Sequence, residues 1–461
     1  MMLRNKIITI SIYFCFIFFL TSCNGNDTPN IPVFNPDESY TIPTEISEGL
    51  AVHIYFDATL SMQGFVNLKV STHYKQMCRE LKSVITVGGW SNEKIKYFKF
   101  GTKVEPISDE DYQTVAFPKF YETKDIMGQT FIDNVINEET REENIPPIPE
   151  EQSEAVKSEA ETECRKRTNR LVIIVTDLFQ DRGNINSLVA QLKEKYIEKG
   201  IEIGLLGFRS QFKGKIYDIG FGEESRTYES TQENPETYRP FYLLVLGKYA
   251  DIVNYFDNLI ARGFDEAETI IFSRYIVSPL LSFGGASITR ENLNRDIFVS
   301  SEDPRLKQFK IVDDERPASI SAKMKYAPLS HTMFFSPEPF KVLIIAKHKP
   351  MGETVESVHA NRCLEVTSTL NKSVDGNELN VEFSLDLQSL PGNAVYLYEV
   401  TLGPGNDKYR APKWCSDWDM GEERDGSKTL NLVNFVRDLS QVTAQRHSPQ
   451  IAKFYCYIKN R

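Results

Sequence analysis

Between Val52 and Gly64 the chain runs from a mostly apolar stretch straight into a turn of oxygen-bearing side chains: Val-His-Ile-Tyr-Phe-Asp57-Ala-Thr59-Leu-Ser61-Met-Gln-Gly. That order is restrictive. A strand of this kind is buried on both faces and needs helices over it, and a carboxylate at its end falls where open α/β sheets place their binding sites. Asp57, Thr59 and Ser61 alternate, so their oxygens can face a single point. Hard divalent cations such as Mg²⁺ take oxygen ligands in an octahedron and keep some water, which suits one carboxylate and two hydroxyls. An alternative use of the same residues is plainer: Thr59 and Ser61 cap a helix that starts near Gly64, with Asp57 solvated at a strand end. The amphipathic run after Gly64 predicts a helix over 64–85.

From residue 48 to 265 apolar runs alternate with amphipathic ones. Strands are expected at 50–57, 95–101, 171–177, 201–208 and 241–247, and helices at 64–85, 130–138, 184–199 and 250–262. The alternation predicts an α/β class fold with a doubly wound, mostly parallel sheet. Leu171 to Val175 and Ile201 to Leu206 are almost wholly apolar, as central strands are, and Asp177 ends the first of them. Two segments interrupt the pattern. Residues 138–169 carry glutamates early and Arg165, Lys166 and Arg167 late, a charge order that suits a solvated linker and helix. Residues 212–239 read as a hairpin and loop inserted before the last strand.

Beyond 265 the period changes. Leu379, Val381, Phe383, Leu385 and Leu387 alternate with polar residues, and 341–346, 394–402 and 451–458 are further strand candidates, with one helix near 430–442. Residues 266–461 are therefore expected to form a β-rich, sandwich-like region. At the other end, Arg4 and Lys6 precede an apolar run from Ile7 to Leu20, short for a membrane span and right for a signal peptide. The run closes on Thr21-Ser22-Cys23, which resembles the lipobox of bacterial lipoproteins, whose cleavage leaves the cysteine as a lipid-modified N-terminus. On that resemblance 1–22 is the signal peptide and Cys23 carries the lipid. Residues 23–47, with Pro29, Pro32, Pro36 and Pro43, form an extended tether. Asn24 after Cys23 departs from a known inner-membrane retention signal and points to the outer membrane.

A formal charge of −11 argues against a nucleic-acid partner, which requires a basic face to neutralise phosphates. The cysteines are scattered, with no zinc-like spacing. One disulfide among Cys363, Cys415 and Cys456 is compatible with an exported chain. No nucleophile elbow, phosphate-binding loop, dinucleotide turn or His-Glu-x-x-His helix is present. A phosphotransferase of the haloacid dehalogenase type needs an Asp two residues after its nucleophile, and Thr59 stands there. The expectation is a binding protein, not an enzyme.

The turn at Asp57-x-Thr59-x-Ser61 with Met62-x-Gly64 resembles the first metal-binding loop of the von Willebrand factor A (vWA) family, with Thr in place of the first Ser. Met127-Gly128-Gln129-Thr130 resembles the second loop, and the apolar strand Leu171 to Val175 ending in Thr176-Asp177 resembles the third. The resemblance spans about 48–265. It implies a metal-ion-dependent adhesion site in which Asp57, Thr59, Ser61, Thr130 and Asp177 hold Mg²⁺ or another divalent cation. A carboxylate from a protein partner would complete its coordination. The alternative is a metal-independent structural or assembly component of the cell envelope.

Overall fold

The computed structural model describes residues 44–90, 94–122, 129–141, 169–179, 185–217, 225–231, 233–273, 308–311, 319–326, 329–332, 341–350, 357–359, 364–373, 376–386, 394–403, 411–421, 425–446 and 450–458. For the strands at 308–403 and 450–458, and for 444–446, the backbone course alone is described. The signal segment, Cys23, the tether up to residue 43, most of the acidic 138–169 segment and Met127-Gly128 lie outside the described residues.

The first half forms an α/β unit around one seven-stranded mixed sheet. Its strands are β1 (Ala51–Asp57), β2 (Ile95–Phe100), β3 (Val104–Ile107), β4 (Arg170–Thr176), β5 (Glu202–Ser210), β8 (Arg239–Gly247) and β9 (Glu268–Phe272). Between β5 and β8, β6 (Lys213–Ile216) and β7 (Arg226–Glu229) pair as the expected hairpin. The sheet order is β3-β2-β1-β4-β8-β5-β9. β1 pairs in parallel with β2 and β4, while β8 runs antiparallel between β4 and β5, and β3 and β9 run antiparallel at the two edges. The long β5–β8 pair follows from the hairpin that joins them, which turns the chain back beside the strand it has just left. The sheet also continues past residue 265, into β9.

Period-2 alternation splits these strands between two cores. Val52, Ile54 and Phe56 of β1, Leu171, Ile173 and Val175 of β4, and Phe241, Leu243 and Val245 of β8 face one side. Tyr55, Val172, Ile174, Tyr242, Leu244 and Leu246 face the other. The helices are α1 (Leu60–Gln63), α2 (His73–Val87), α3 (Asp109–Tyr112), α4 (Ile132–Thr140), α5 (Ile185–Lys195), α6 (Tyr249–Ile260), α7 (Lys413–Trp418) and α8 (Leu432–Arg446). α2 and α6 cover the first side. α4 and α5 cover the second, together with Trp414, Cys415 and Trp418 of α7 and Leu432, Phe435, Val436 and Leu439 of α8. The helix expected near 430–442 thus belongs to the core of the first sheet.

The helix expected over 64–85 is shorter and begins at His73. Thr72 takes the N-cap, accepting from Lys75 N, and its own hydroxyl donates to Phe65 O. Lys75 Nζ donates to Leu68 O and Val70 O, closing 65–72 into a loop. Gly64 is held apart by Lys213, whose N–H donates to its carbonyl at 2.9 Å. Its backbone is helical, and the constraint is space: a Cβ there would sit 2.2 Å from the buried Phe212 ring.

Among the strands beyond residue 300, one sheet has the order β10-β19-β16-β12-β13 and another the order β11-β15-β14. Their ranges are β10 Gln308–Ile311, β11 Ser319–Tyr326, β12 Lys341–Pro350, β13 Ser357–His359, β14 Leu364–Ser373, β15 Gly376–Asp386, β16 Ala394–Gly403 and β19 Gln450–Ile458. Short β17 (Asp419–Met420) and β18 (Thr429–Leu430) pair with each other. Cys415 is a buried free thiol, as is Cys78, so any bridge among the C-terminal cysteines excludes Cys415. Among the described residues no helix is long and apolar enough to cross a membrane.

One polar network pins α4 to the sheet. Glu139 accepts from His53 Nδ1 (2.6 Å), from Arg170 Nη1 (2.6 Å) and from the Tyr55 hydroxyl. Burial alone would raise the Glu139 carboxyl. The hydrogen bond and electrostatic attraction of His53, then Arg170 and Tyr55, outweigh it and hold the carboxyl at about 2. Removing one partner of a buried ion pair typically costs about 3–5 kcal/mol, so Glu139→Gln is expected to lower stability by roughly that much in urea unfolding at pH 7. Because this carboxyl ionises in the fold below its ordinary 4.5, its contribution is complete above that pH and is lost as pH falls towards about 2. The difference between parent and Glu139→Gln should shrink across that window.

Candidate metal centre

The site grows out of the carboxyl end of β1. The ladder continues for one residue past Asp57, with Ala58 N donating to Phe100 O, and the chain then turns into α1. Asp57 makes that turn: its Oδ1 accepts from Thr59 N (3.1 Å) and Thr59 Oγ1 (2.6 Å), the local carboxylate-to-backbone closure that favours Asp in turns. On the neighbouring strand, Thr176 Oγ1 donates to Asp57 Oδ2 at 3.0 Å. Thr59 occupies the N-cap position of α1, yet its side chain makes no capping bond. Its hydroxyl instead lies 3.1 Å from Ser61 Oγ and 2.9 Å from Thr130 Oγ1. A hydroxyl has one proton and two acceptor positions. With Thr59 donating to Asp57, Ser61 and Thr130 donate to Thr59.

Asp177 follows β4. Its Oδ1 accepts from Phe179 N at 3.1 Å, and Leu178 between them adopts φ +61°, an uncommon conformation for a non-glycine residue. Leu178 N donates to Thr176 Oγ1, so the same threonine braces both carboxylate turns. Asp177 Oδ2 lies 3.5 Å from Arg239 Nη2, and both side chains are buried.

All five residues anticipated for the site, Asp57, Thr59, Ser61, Thr130 and Asp177, are buried, and the first four form one hydrogen-bonded set. Asp177 joins through its charge. Burial, with the charge of Asp177 adding to it, pushes the Asp57 carboxyl up to about 7, against the bonds from Thr59 and Thr176 that pull it down. Two residues not anticipated belong here as well. Thr176 was hidden at the end of an apolar strand. Arg239 carried a readable signal, a charge opening the otherwise apolar run Arg-Pro-Phe-Tyr-Leu-Leu-Val-Leu.

The oxygens fit a small hard cation. Ligands at about 2.1 Å in an octahedron stand about 3 Å apart, and the Thr59–Ser61 and Thr59–Thr130 separations are 3.1 and 2.9 Å. Two adjacent buried carboxylates also supply charge that a dication would neutralise. Among the described residues no three His, Cys, Asp or Glu side chains converge, so a cation here would lean on hydroxyls. Two carboxylates between Trp414 and Gly426 serve local structure: Asp419 accepts from Val433 N at the start of α8, and Asp425 from Ser427 N and Oγ.

Comparison with family models, curated proteins and solved structures gives no match. The chemistry of the site therefore rests on its own residues.

A carboxyl raised by the fold favours the protonated state, so without a cation stability should fall as pH rises from about 4 towards 7. Asp57→Asn keeps the shape and removes the ionisation. In chelator at pH 8 it should be more stable than the parent by at least about 1 kcal/mol in thermal or urea unfolding, and the advantage should vanish near pH 4.

Proposed function

We propose that this is an exported, lipid-anchored protein of the bacterial envelope that binds a protein partner through a Mg²⁺-dependent, vWA-type adhesion site. The observation that carries the reading is the meeting of Thr59, Ser61 and Thr130 hydroxyls with Asp57, beside Asp177, at the ends of two adjacent parallel strands. Those residues would hold the ion, and the ion would supply an electrophilic position for an outside carboxylate. The charge balance favours such an anion. Asp57 and Asp177 offset a dication, and Arg239 then leaves one surplus positive charge in a buried setting. The partner would contribute an Asp or Glu.

The vWA-like domain would cover 48–265 together with β9, α7 and α8, which complete its sheet and core, and the rest of the C-terminal region would be sandwich-like, with the two sheets beyond residue 300 supporting that reading. Cys23 would carry the lipid, in the outer membrane, and 23–47 would space the domain from the surface.

Arg239 favours a second reading. A guanidinium against Asp177 can itself balance the buried charge, leaving a metal-independent structural component of the envelope. Titration calorimetry of the full-length chain with Mg²⁺ separates the two. Saturable binding that is lost in Asp57→Ala and weakened at least about tenfold in Ser61→Ala supports the adhesion site. No heat of binding in the folded parent supports the structural reading and rejects the first.

A further inference from the structure

Arg239 touches more than the site. From the first position of β8 its Nη2 approaches Asp177 Oδ2, while its Nη1 donates to Gly426 O at 3.1 Å and Lys428 O at 3.4 Å. The guanidinium lies 5.5 Å from the Phe212 ring and is buried. Three residues further along the same strand, the Tyr242 hydroxyl donates to Thr429 Oγ1 at 2.9 Å. Gly426 is packed so closely on Tyr228 that a Cβ would fall 2.4 Å from the ring. The 425–430 segment is thus fastened to the first sheet across nearly two hundred residues of sequence, and one of its fasteners also holds a carboxylate of the site.

We propose that Arg239 is a positioning residue that couples cation occupancy at Asp57 and Asp177 to docking of the 425–430 segment. The proposal rests on the cation-binding reading above. A dication and the guanidinium draw on the same Asp177 carboxylate and repel each other, so an occupied site weakens the hold of Arg239 on its neighbours. The carbonyls of Gly426 and Lys428 then lose part of their donor, and the segment loosens. Coupling of this kind is reciprocal: whatever undocks the segment raises cation affinity by the same factor. The segment therefore keeps the affinity of the resting site low, and a partner that displaces it would raise that affinity.

The test uses the full-length chain, Mg²⁺ alone as the probe, and two readouts: amide hydrogen exchange at 425–430 and Mg²⁺ affinity by calorimetry. In the parent, saturating Mg²⁺ should speed exchange at 425–430 by at least about fivefold relative to chelator, the lower end of typical couplings. Tyr242→Phe removes the Thr429 contact and leaves every oxygen of the site in place. It should tighten Mg²⁺ binding by a similar factor. Arg239→Met should tighten it too and abolish the Mg²⁺ effect on exchange. Should Arg239→Met fail to fold, the parent and Tyr242→Phe decide the matter. Mg²⁺ binding with unchanged exchange, and with parental affinity in Tyr242→Phe, overturns the coupling and leaves the adhesion site standing. Absence of Mg²⁺ binding in the parent overturns both.

Discussion

The structure is arranged around a carboxylate with no access to solvent, Asp57 at the end of β1. Hydrogen bonds to a charged group contribute about 1.5–3 kcal/mol each, and burying an ion costs several. Asp57 receives three such bonds, two from Thr59 and one from Thr176, and its ionisation is still displaced up to about 7. Desolvation wins. The neighbouring strand aggravates the deficit by placing Asp177 close by, and the positions of Thr130, before α4, and of Ser61, in α1, make sense as oxygens gathered round that deficit.

A second buried carboxylate shows what a satisfied one looks like. The Glu139 side chain is nearly as enclosed, at 4% exposure, yet its pKa is depressed, because His53 and Arg170 answer it directly. That network ties α4 to β1 and β4. Asp57 has neutral donors and an anionic neighbour. A perturbed acid of this kind, in a cluster of hydroxyls at the ligand-binding end of a sheet, is a functional candidate on physical grounds. Arg239 meets part of the charge from Asp177's side, and through Gly426 and Lys428 it makes the C-terminal segment party to the balance.

Much of this was legible in the sequence, for identifiable reasons. Long apolar runs located β1, β2, β4, β5 and β8 within a residue or two, and the Asp57, Thr59 and Ser61 alternation identified the turn. The length of α2 was misread because apolar periodicity continues through 65–72, while the hydrogen bonds of Thr72 and Lys75 that make those residues a loop are tertiary. Strand direction is absent from an apolar run, so the antiparallel β8 between β4 and β5 could not be read from Phe241 to Leu246. Nor could the docking of Trp418, Phe435 and Leu439 on a sheet some two hundred residues earlier, since their pattern states only that they are buried. Arg239 was legible as an anomaly, and its partner was not.

The most direct test of the central claim, that oxygens from three distant parts of the chain surround one cation, is anomalous diffraction from crystals grown with Mn²⁺ in place of Mg²⁺. The expected result is a single strong peak about 2.2 Å from Ser61 Oγ and Thr130 Oγ1, lying between Asp57 and Asp177. A well-ordered crystal with no peak there, the hydroxyls bonded only to one another and Arg239 still seated on Asp177, would contradict it.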